Sequence, residues 1–159
     1  MDNKKCVCIG VSGGIAVYKA LDVVSALRKK DIDVRVIMTE SATKFVTPLP
    51  FQSLSQNMVV TDMFAEPKAY EIQHISLAKR ADVFLVAPAT ANIIGKVANG
   101  IADDMLSTTI MATRAKVIFA PAMNTKMYEN PIVQENINKL KKLGYEFIEP
   151  TSGILACCL

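Results

Sequence analysis

A chain of 159 residues, 51% of them hydrophobic, is expected to form a single domain over residues 1–159 with a sizeable core. The net charge of +3 is small, the lysines are scattered, and there is no tryptophan and no aromatic–basic interleaving, which argues against a nucleic-acid partner. No apolar run reaches the ~18 residues of a membrane span and no signal-peptide layout follows Met1, so a cytoplasmic location without membrane attachment is expected.

The first apolar run, Val7–Val11, reads as a buried strand in which Cys6 and Cys8 serve as small hydrophobes. With Cys157 and Cys158 they are the only cysteines, and neither their spacing nor the single histidine suits zinc, so no metal is expected. At the end of this strand Gly10-Val11-Ser12-Gly13-Gly14-Ile15 opens a helical pattern over Ile15–Lys29. Glycines at a strand-to-helix turn let backbone N–H groups approach a phosphate at the positive helix end. Ser12 stands where a dinucleotide fingerprint has its second glycine, so a mononucleotide fits better, with a ligand-free glycine turn as the plain alternative.

A second strand, Val34–Met38, ends in Thr39-Glu40-Ser41, where Glu40 also leaves a ribose-binding reading open. Periodicity is weak over Thr47–Tyr70. His74 follows, beside the helical face traced by Ile72, Ile75 and Ala78, where it is either a structural histidine or an acid/base group. The third strand, Val83–Ala87, ends in Pro88-Ala89-Thr90-Ala91-Asn92, and helices are expected over Ile93–Ala98 and Asp104–Ala112.

The fourth strand, Val117–Ala120, opens into a loop bounded by Pro121 and Pro131 that carries Asn124, whose neutral amide can hold a carboxylate or bond its own backbone. A helix over Pro131–Leu143 stopped by Gly144 and a weak strand over Tyr145–Ile148 complete the alternation. Cys157 ends an apolar lead-in from Gly153, as a thiol proton donor or an exposed tail. Strands alternating with helices predict an α/β fold, three-layer and Rossmann-like or flavodoxin-like, with a mostly parallel sheet between helices on both faces. Four polar strand ends then fall on one rim, where such folds bind ligands.

Together, the glycine turn, Gln73-His74-Ile75-Ser76-Leu77, Ala87 to Asn92 with Ala102 to Ser107, Pro121 to Tyr128 and Gly153 to Cys157 resemble the flavin-dependent cysteine decarboxylases over Lys5 to Cys157. The resemblance implies a carboxy-lyase with FMN bound non-covalently between subunits of a homotrimer, four of which build a dodecamer in some members. It implies flavin contacts at Ser12, Gly13, Gly14, Ile15, Thr39, Glu40, Ser41, Thr90, Ala91, Asn92, Ile93, Ser107 and Ala122. His74 matches the catalytic base, Asn124 the carboxylate holder, Met127 a substrate contact, and Ile154, Leu155, Ala156 and Cys157 a clamp whose cysteine donates a proton.

The implied reaction converts 4'-phosphopantothenoylcysteine to 4'-phosphopantetheine in coenzyme A biosynthesis, by flavin oxidation of the thiol, loss of carbon dioxide and re-reduction. Relatives continue past the cysteine with a glycine-rich, arginine-containing stretch, and this chain reads Cys158-Leu159 there, which predicts a shortened clamp. Tyr128 stands where relatives often have tryptophan. Bifunctional relatives also carry a synthetase domain, so a synthetase partner or downstream half is expected. A peptidyl-cysteine decarboxylase, a flavin prenyltransferase and a non-catalytic FMN-binding subunit are the alternatives. Cys157 opposes the first, and the pairing of His74 with Pro-Ala-Met-Asn the second.

Overall fold

The computed structural model describes residues 4–64 and 72–151. Five strands form one sheet, β1 (Cys6–Val11), β2 (Asp33–Met38), β3 (Val83–Ala89), β4 (Lys116–Pro121) and β5 (Glu146–Phe147), in the order β2-β1-β3-β4-β5. All pairs are parallel, with Ile9 opposite Val36 on one side and Leu85 on the other. Connections leave β1 in both directions, so the order reverses between β1 and β3, and a crevice opens there at the strands' carboxyl ends. Val60 adds one parallel bridge to the outer edge of β2, its N–H donating to Val36 O at 3.0 Å.

Helices pack on both faces. On one side α1 (Val17–Lys29) and α3 (Pro48–Ser55) bury Val17, Ala20, Val24 and Phe51 against Ile9, Val11, Val34, Val36 and Met38. On the other, α5 (Ala91–Ala98), α6 (Met105–Ala112) and α8 (Pro131–Lys142) bury Ile93, Leu106, Ile110, Ile137 and Leu140 against Cys8, Phe84, Val86, Val117 and Phe119. A Leu or Phe fully removed from water contributes about 1.5–3 kcal/mol, so these two clusters hold the sheet between its layers.

The expectation of strands covered on both faces holds for β1 and β2 but not for β3 and β4. Phe84, Val86, Val117 and Phe119 are buried, whereas Leu85, Ile118 and Ala120 on the opposite face are half-buried, because α1 and α3 lie chiefly over β1 and β2.

The long helix α1 starts at Val17 rather than Ile15, because Gly14 O takes the Val17 N–H at 3.0 Å and leaves Ile15 in the turn. Three helices fall where no helical period was read: α2 (Glu40–Thr43), α3, and α7 (Thr125–Tyr128). The last, α8, carries Lys139, Lys141 and Lys142 in its final turn, where cations suit the helix dipole. Gly144 follows it at φ 95°, backbone that a side chain would strain.

Candidate active site

The loop after β1 lies between the ends of its two neighbours. Ser12 Oγ donates to Pro88 O at 2.6 Å and accepts the Thr90 N–H at 3.0 Å, joining the β1 and β3 termini. On the other side Thr39 N donates to Val11 O at 3.0 Å. A Cβ on Gly13 would stand 2.4 Å from Ser41 Cβ and 2.9 Å from Ser41 C, so only glycine lets the loop lie this close to the start of α2. Gly14 faces Thr90, with 3.7 Å from a Cβ to Thr90 Cγ2. Ala122 N donates to Ala89 O at 3.1 Å, bringing the end of β4 to the same rim.

Three of the rim residues are also helix caps. Thr39 Oγ1 accepts from Ala42 N at 3.2 Å, Thr90 Oγ1 from Ile93 N at 3.4 Å, and Asn124 Oδ1 from Lys126 N at 2.9 Å. Each therefore caps a helix, and the sheet order still gathers all three at one edge. Among the described residues no acceptor meets the backbone N–H groups of Gly13, Gly14 and Ile15. These donors precede α1, whose first turn holds no acidic residue, so the turn carries positive potential toward an anion.

The residues expected at the cofactor separate into two groups. Ile15, Glu40, Ser41 and Asn92 are exposed, and Gly13, Gly14, Thr39, Thr90, Ala91 and Ala122 are half-buried at the crevice. Ser12, Ile93 and Ser107 are buried. Ser12 spends its hydroxyl on the strand tie, Ile93 packs in the core, and Ser107 closes a capping box with Asp104. These three shape the rim from behind.

His74 is the second residue of α4 (Gln73–Arg80) and is half-buried. Arg80 Nη2 meets Asp33 Oδ2 at 3.1 Å at the start of β2, and Thr113 Oγ1 donates to Ala78 O at 2.9 Å beyond the end of α6. The carboxyl end of α4 is thus fixed at the amino-terminal edge of the sheet. Its amino end, with His74, runs beside α6 toward the rim, where Leu106 packs on Gly10. Asn124 and Met127 are exposed on α7, beside the β4 terminus. The expected clamp residues Ile154, Leu155, Ala156 and Cys157 lie outside the described residues.

Sequence reading missed Lys96. Its ammonium is 2.8 Å from Asp103 Oδ1 and 3.1 Å from Asp104 Oδ2, with only 20% of the side chain exposed. The hydrogen bond to Asp103 raises the Lys96 pKa, against partial burial, with Asp104 adding to the effect. For Asp104, burial pushes the carboxyl up, but bonds from Ser107 and Lys96 outweigh it and the pKa is lowered. The pattern Asp104-x-x-Ser107 was the available signal, because a cap followed three residues later by a reciprocating side chain marks a helix start.

No described helix is long and apolar enough to cross a membrane. The chain matches a family model described as Flavoprotein over residues 1–158. It is 56% identical over 157 residues to the coenzyme A biosynthesis bifunctional protein CoaBC of Bacillus subtilis, covering 99% of this chain and 39% of that protein. It is 48% identical over 155 residues to a probable phosphopantothenoylcysteine decarboxylase of Streptococcus mutans, covering 96% of this chain and 87% of that one. Among solved structures, an FMN-dependent cysteine decarboxylase, SpaF, superposes with a TM-score of 0.88 at 33% identity, over 95% of this chain and 86% of that one. A PPC decarboxylase mutant complexed with pantothenoylaminoethenethiol superposes with a TM-score of 0.84 at 29% identity, over 98% and 87%. The chain therefore spans 39% of the bifunctional relative and most of the length of the others. By both sequence and fold, the chain belongs to the Flavoprotein family.

Proposed function

We propose that this chain binds FMN at the rim and decarboxylates 4'-phosphopantothenoylcysteine to 4'-phosphopantetheine, a carboxy-lyase step of coenzyme A biosynthesis. The observation that carries the reading is the convergence of four polar strand ends at the reversal of sheet order, with the donors of Gly13, Gly14 and Ile15 unmatched there. These residues fit an anionic mononucleotide, since N–H groups before a helix receive a phosphate and the apolar side chains of Ile15, Ala91 and Ala122 at the rim suit a flat ring. Gly13, Gly14, Ile15, Thr39, Glu40, Ser41, Thr90, Ala91, Asn92 and Ala122 would hold it, with Ser12, Ile93 and Ser107 fixing their positions.

When bound, FMN supplies two-electron oxidation of the substrate thiol and returns the electrons after carbon dioxide has left. His74 takes the proton released from the substrate during oxidation, from the amino end of α4. Asn124 holds the substrate carboxylate through its amide, its rotamer set by the bond from Lys126 N at 2.9 Å. A neutral amide suits this task, because a cation there would stabilise the carboxylate charge that the reaction must dissipate. Met127 lines the substrate side, and the Cys157 thiol serves as the late proton donor, with Ile154, Leu155 and Ala156 as further substrate contacts.

The half-buried apolar face at Leu85, Ile118 and Ala120 supports assembly as a homotrimer, further grouped into a dodecamer or not. The substrate would come from a synthetase, fused or separate, as in the bifunctional relatives. Reduced thiols at Cys6 and Cys8 suit a cytoplasmic location. The test is direct: titrate the protein with FMN, follow the flavin spectrum, then assay carbon dioxide and 4'-phosphopantetheine from the proposed substrate, with a peptide ending in cysteine as competitor. A protein that takes up no FMN, or takes it up and processes only the peptide, removes the reading.

A further inference from the structure

We propose that Lys96 is a positioning residue of the site, holding the first turn of α6 against the end of β1 so that the cradle is formed before any ligand arrives. The inference rests on the FMN reading above for its consequence, though not for its geometry.

The segment between α5 and α6 has to reverse direction. Both helices begin at the rim, α5 at its cap Thr90 and α6 with Leu106 packed on Gly10, so residues 99–104 climb back the length of α5. Gly100 allows the turn at φ 70°. Lys96 grips this return from both ends. Its carbonyl accepts the Ile101 N–H at 2.9 Å, and its ammonium reaches Asp103 and Asp104 at 2.8 and 3.1 Å. Helical side chains lean toward the amino end of their helix, so a lysine on the last turn of α5 reaches back toward the rim.

The Asp104 carboxylate is divided between two duties. Oδ2 takes Lys96, and Oδ1 takes Ser107 N at 2.7 Å and Ser107 Oγ at 2.9 Å, while Asp104 N donates to Ser107 Oγ at 3.2 Å. Lys96 thereby sets the carboxylate rotation that closes the capping box. The box fixes the turn that carries Leu106, whose Cδ1 lies 2.3 Å from where a Gly10 Cβ would stand. Gly10 sits three residues before Gly13 in the strand that ends at the crevice. A chain of direct contacts runs from Lys96 through Asp104, Ser107 and Leu106 to the glycine turn.

The experiment uses Lys96→Met, which keeps the stem and removes the charge, beside Lys96→Arg and the remote Lys116→Met, which breaks the Lys116–Glu146 pair at the β5 edge. Two properties are read: amide exchange at Ser107 in flavin-free protein, and the FMN dissociation constant by quenching of flavin fluorescence. Expected are faster Ser107 exchange and roughly tenfold weaker FMN binding with an altered flavin spectrum in Lys96→Met. Lys96→Arg should restore both, and Lys116→Met should leave both unchanged. Parent-like Ser107 exchange and FMN affinity in folded Lys96→Met overturn the proposal, as does equal loosening in Lys116→Met. If Lys96→Met does not fold, Asp103→Asn carries the test, and parent values of both readouts overturn it. A parent chain that takes up no FMN yet shows the Ser107 exchange difference removes the proposed function and keeps the Lys96 grip.

Discussion

Ser12 donates its hydroxyl to the Pro88 carbonyl at 2.6 Å across 76 residues of sequence, and this bond ties the ends of β1 and β3 together behind the crevice. The same oxygen accepts the Thr90 N–H, so one buried side chain satisfies a donor and an acceptor at the point where the sheet order reverses.

Replacing Ser12 with alanine leaves the Thr90 N–H without its acceptor. Orphaning a buried donor costs about 1–3 kcal/mol, and for the half-buried Thr90 N–H a loss near the lower end is expected in urea unfolding of Ser12→Ala. FMN binding should weaken as well, because Thr90 and Asn92 lose their tie to the glycine turn. An unchanged unfolding midpoint would dispose of this account of Ser12.

Gly13 and Gly14 are adjacent but not equivalent. A methyl group at Gly13 meets the Ser41 backbone at 2.9 Å, whereas at Gly14 the nearest atom is a methyl of Thr90 at 3.7 Å. Gly13→Ala is therefore expected to lose about 1–3 kcal/mol of stability and most FMN affinity. Gly14→Ala should melt near the parent temperature. Thermal melts with and without FMN check both, and equal behaviour of the two variants contradicts the close approach at Ser41.

His74 stands at the end of α4 remote from its anchors at Arg80 and Thr113, so its side chain contributes little to holding the fold. His74→Asn should keep FMN and the parent melting temperature while cutting carbon dioxide release by about 10²–10⁴-fold. A variant that turns over at the parent rate would end the assignment of the base. Cys157→Ser should instead still release carbon dioxide and stall before the saturated thiol, which mass spectrometry of the product distinguishes.

Stability should depend on pH at both extremes. Burial raises the Asp33 carboxyl, but bonds from Asn57 and Arg35 and the nearby Arg80 outweigh it, so Asp33 and Asp104 both titrate below the ordinary range. A lowered folded pKa gives stability that is complete above the unfolded value of about 3.9 and is lost as pH falls through the folded values. Lys96 is raised, so its contribution is complete below about 10.4 and is lost as pH climbs through its folded value. Melting temperature against pH should decline on each side, and Asp104→Asn should flatten the acid limb. An acid limb unchanged in that variant would show that Asp104 does not carry it.

The strands were legible because apolar runs such as Val7–Val11 suit a parallel sheet covered on both faces. The rim followed from connectivity alone, since every βα turn of a parallel sheet lies at the same edge. What could not be read were the short helices. Glu40–Thr43 and Thr125–Tyr128 are each about one turn and carry no period, and Pro48–Ser55 mixes Leu49 and Leu54 on its exposed side with Phe51 on its buried one.

Within the site, residue types were more legible than their duties. Ser12, Thr90 and Asn124 were singled out, yet that Ser12 faces Pro88 while Thr90 and Asn124 cap helices depends on distances across the fold. Lys96 lay hidden because its partners are seven and eight residues away, off the three- and four-residue spacing of a helix face. Only the reversal at Gly100 brings them together.

The two apolar clusters differ in how far apart their members lie along the chain. The buried members of the one under α1 all lie between Ile9 and Phe51, whereas those of the other join Cys8 and Ile37 to residues from Phe84 to Leu140. Loop closure within the first forty or so residues is entropically cheap, so β1, α1 and β2 are expected to condense early and present a ready strand edge to β3. Folding would then proceed outward from β1, with β4 and the two-residue β5 added last. Mutations in β1 such as Ile9→Val should slow folding, and mutations at Phe147 should mainly hasten unfolding.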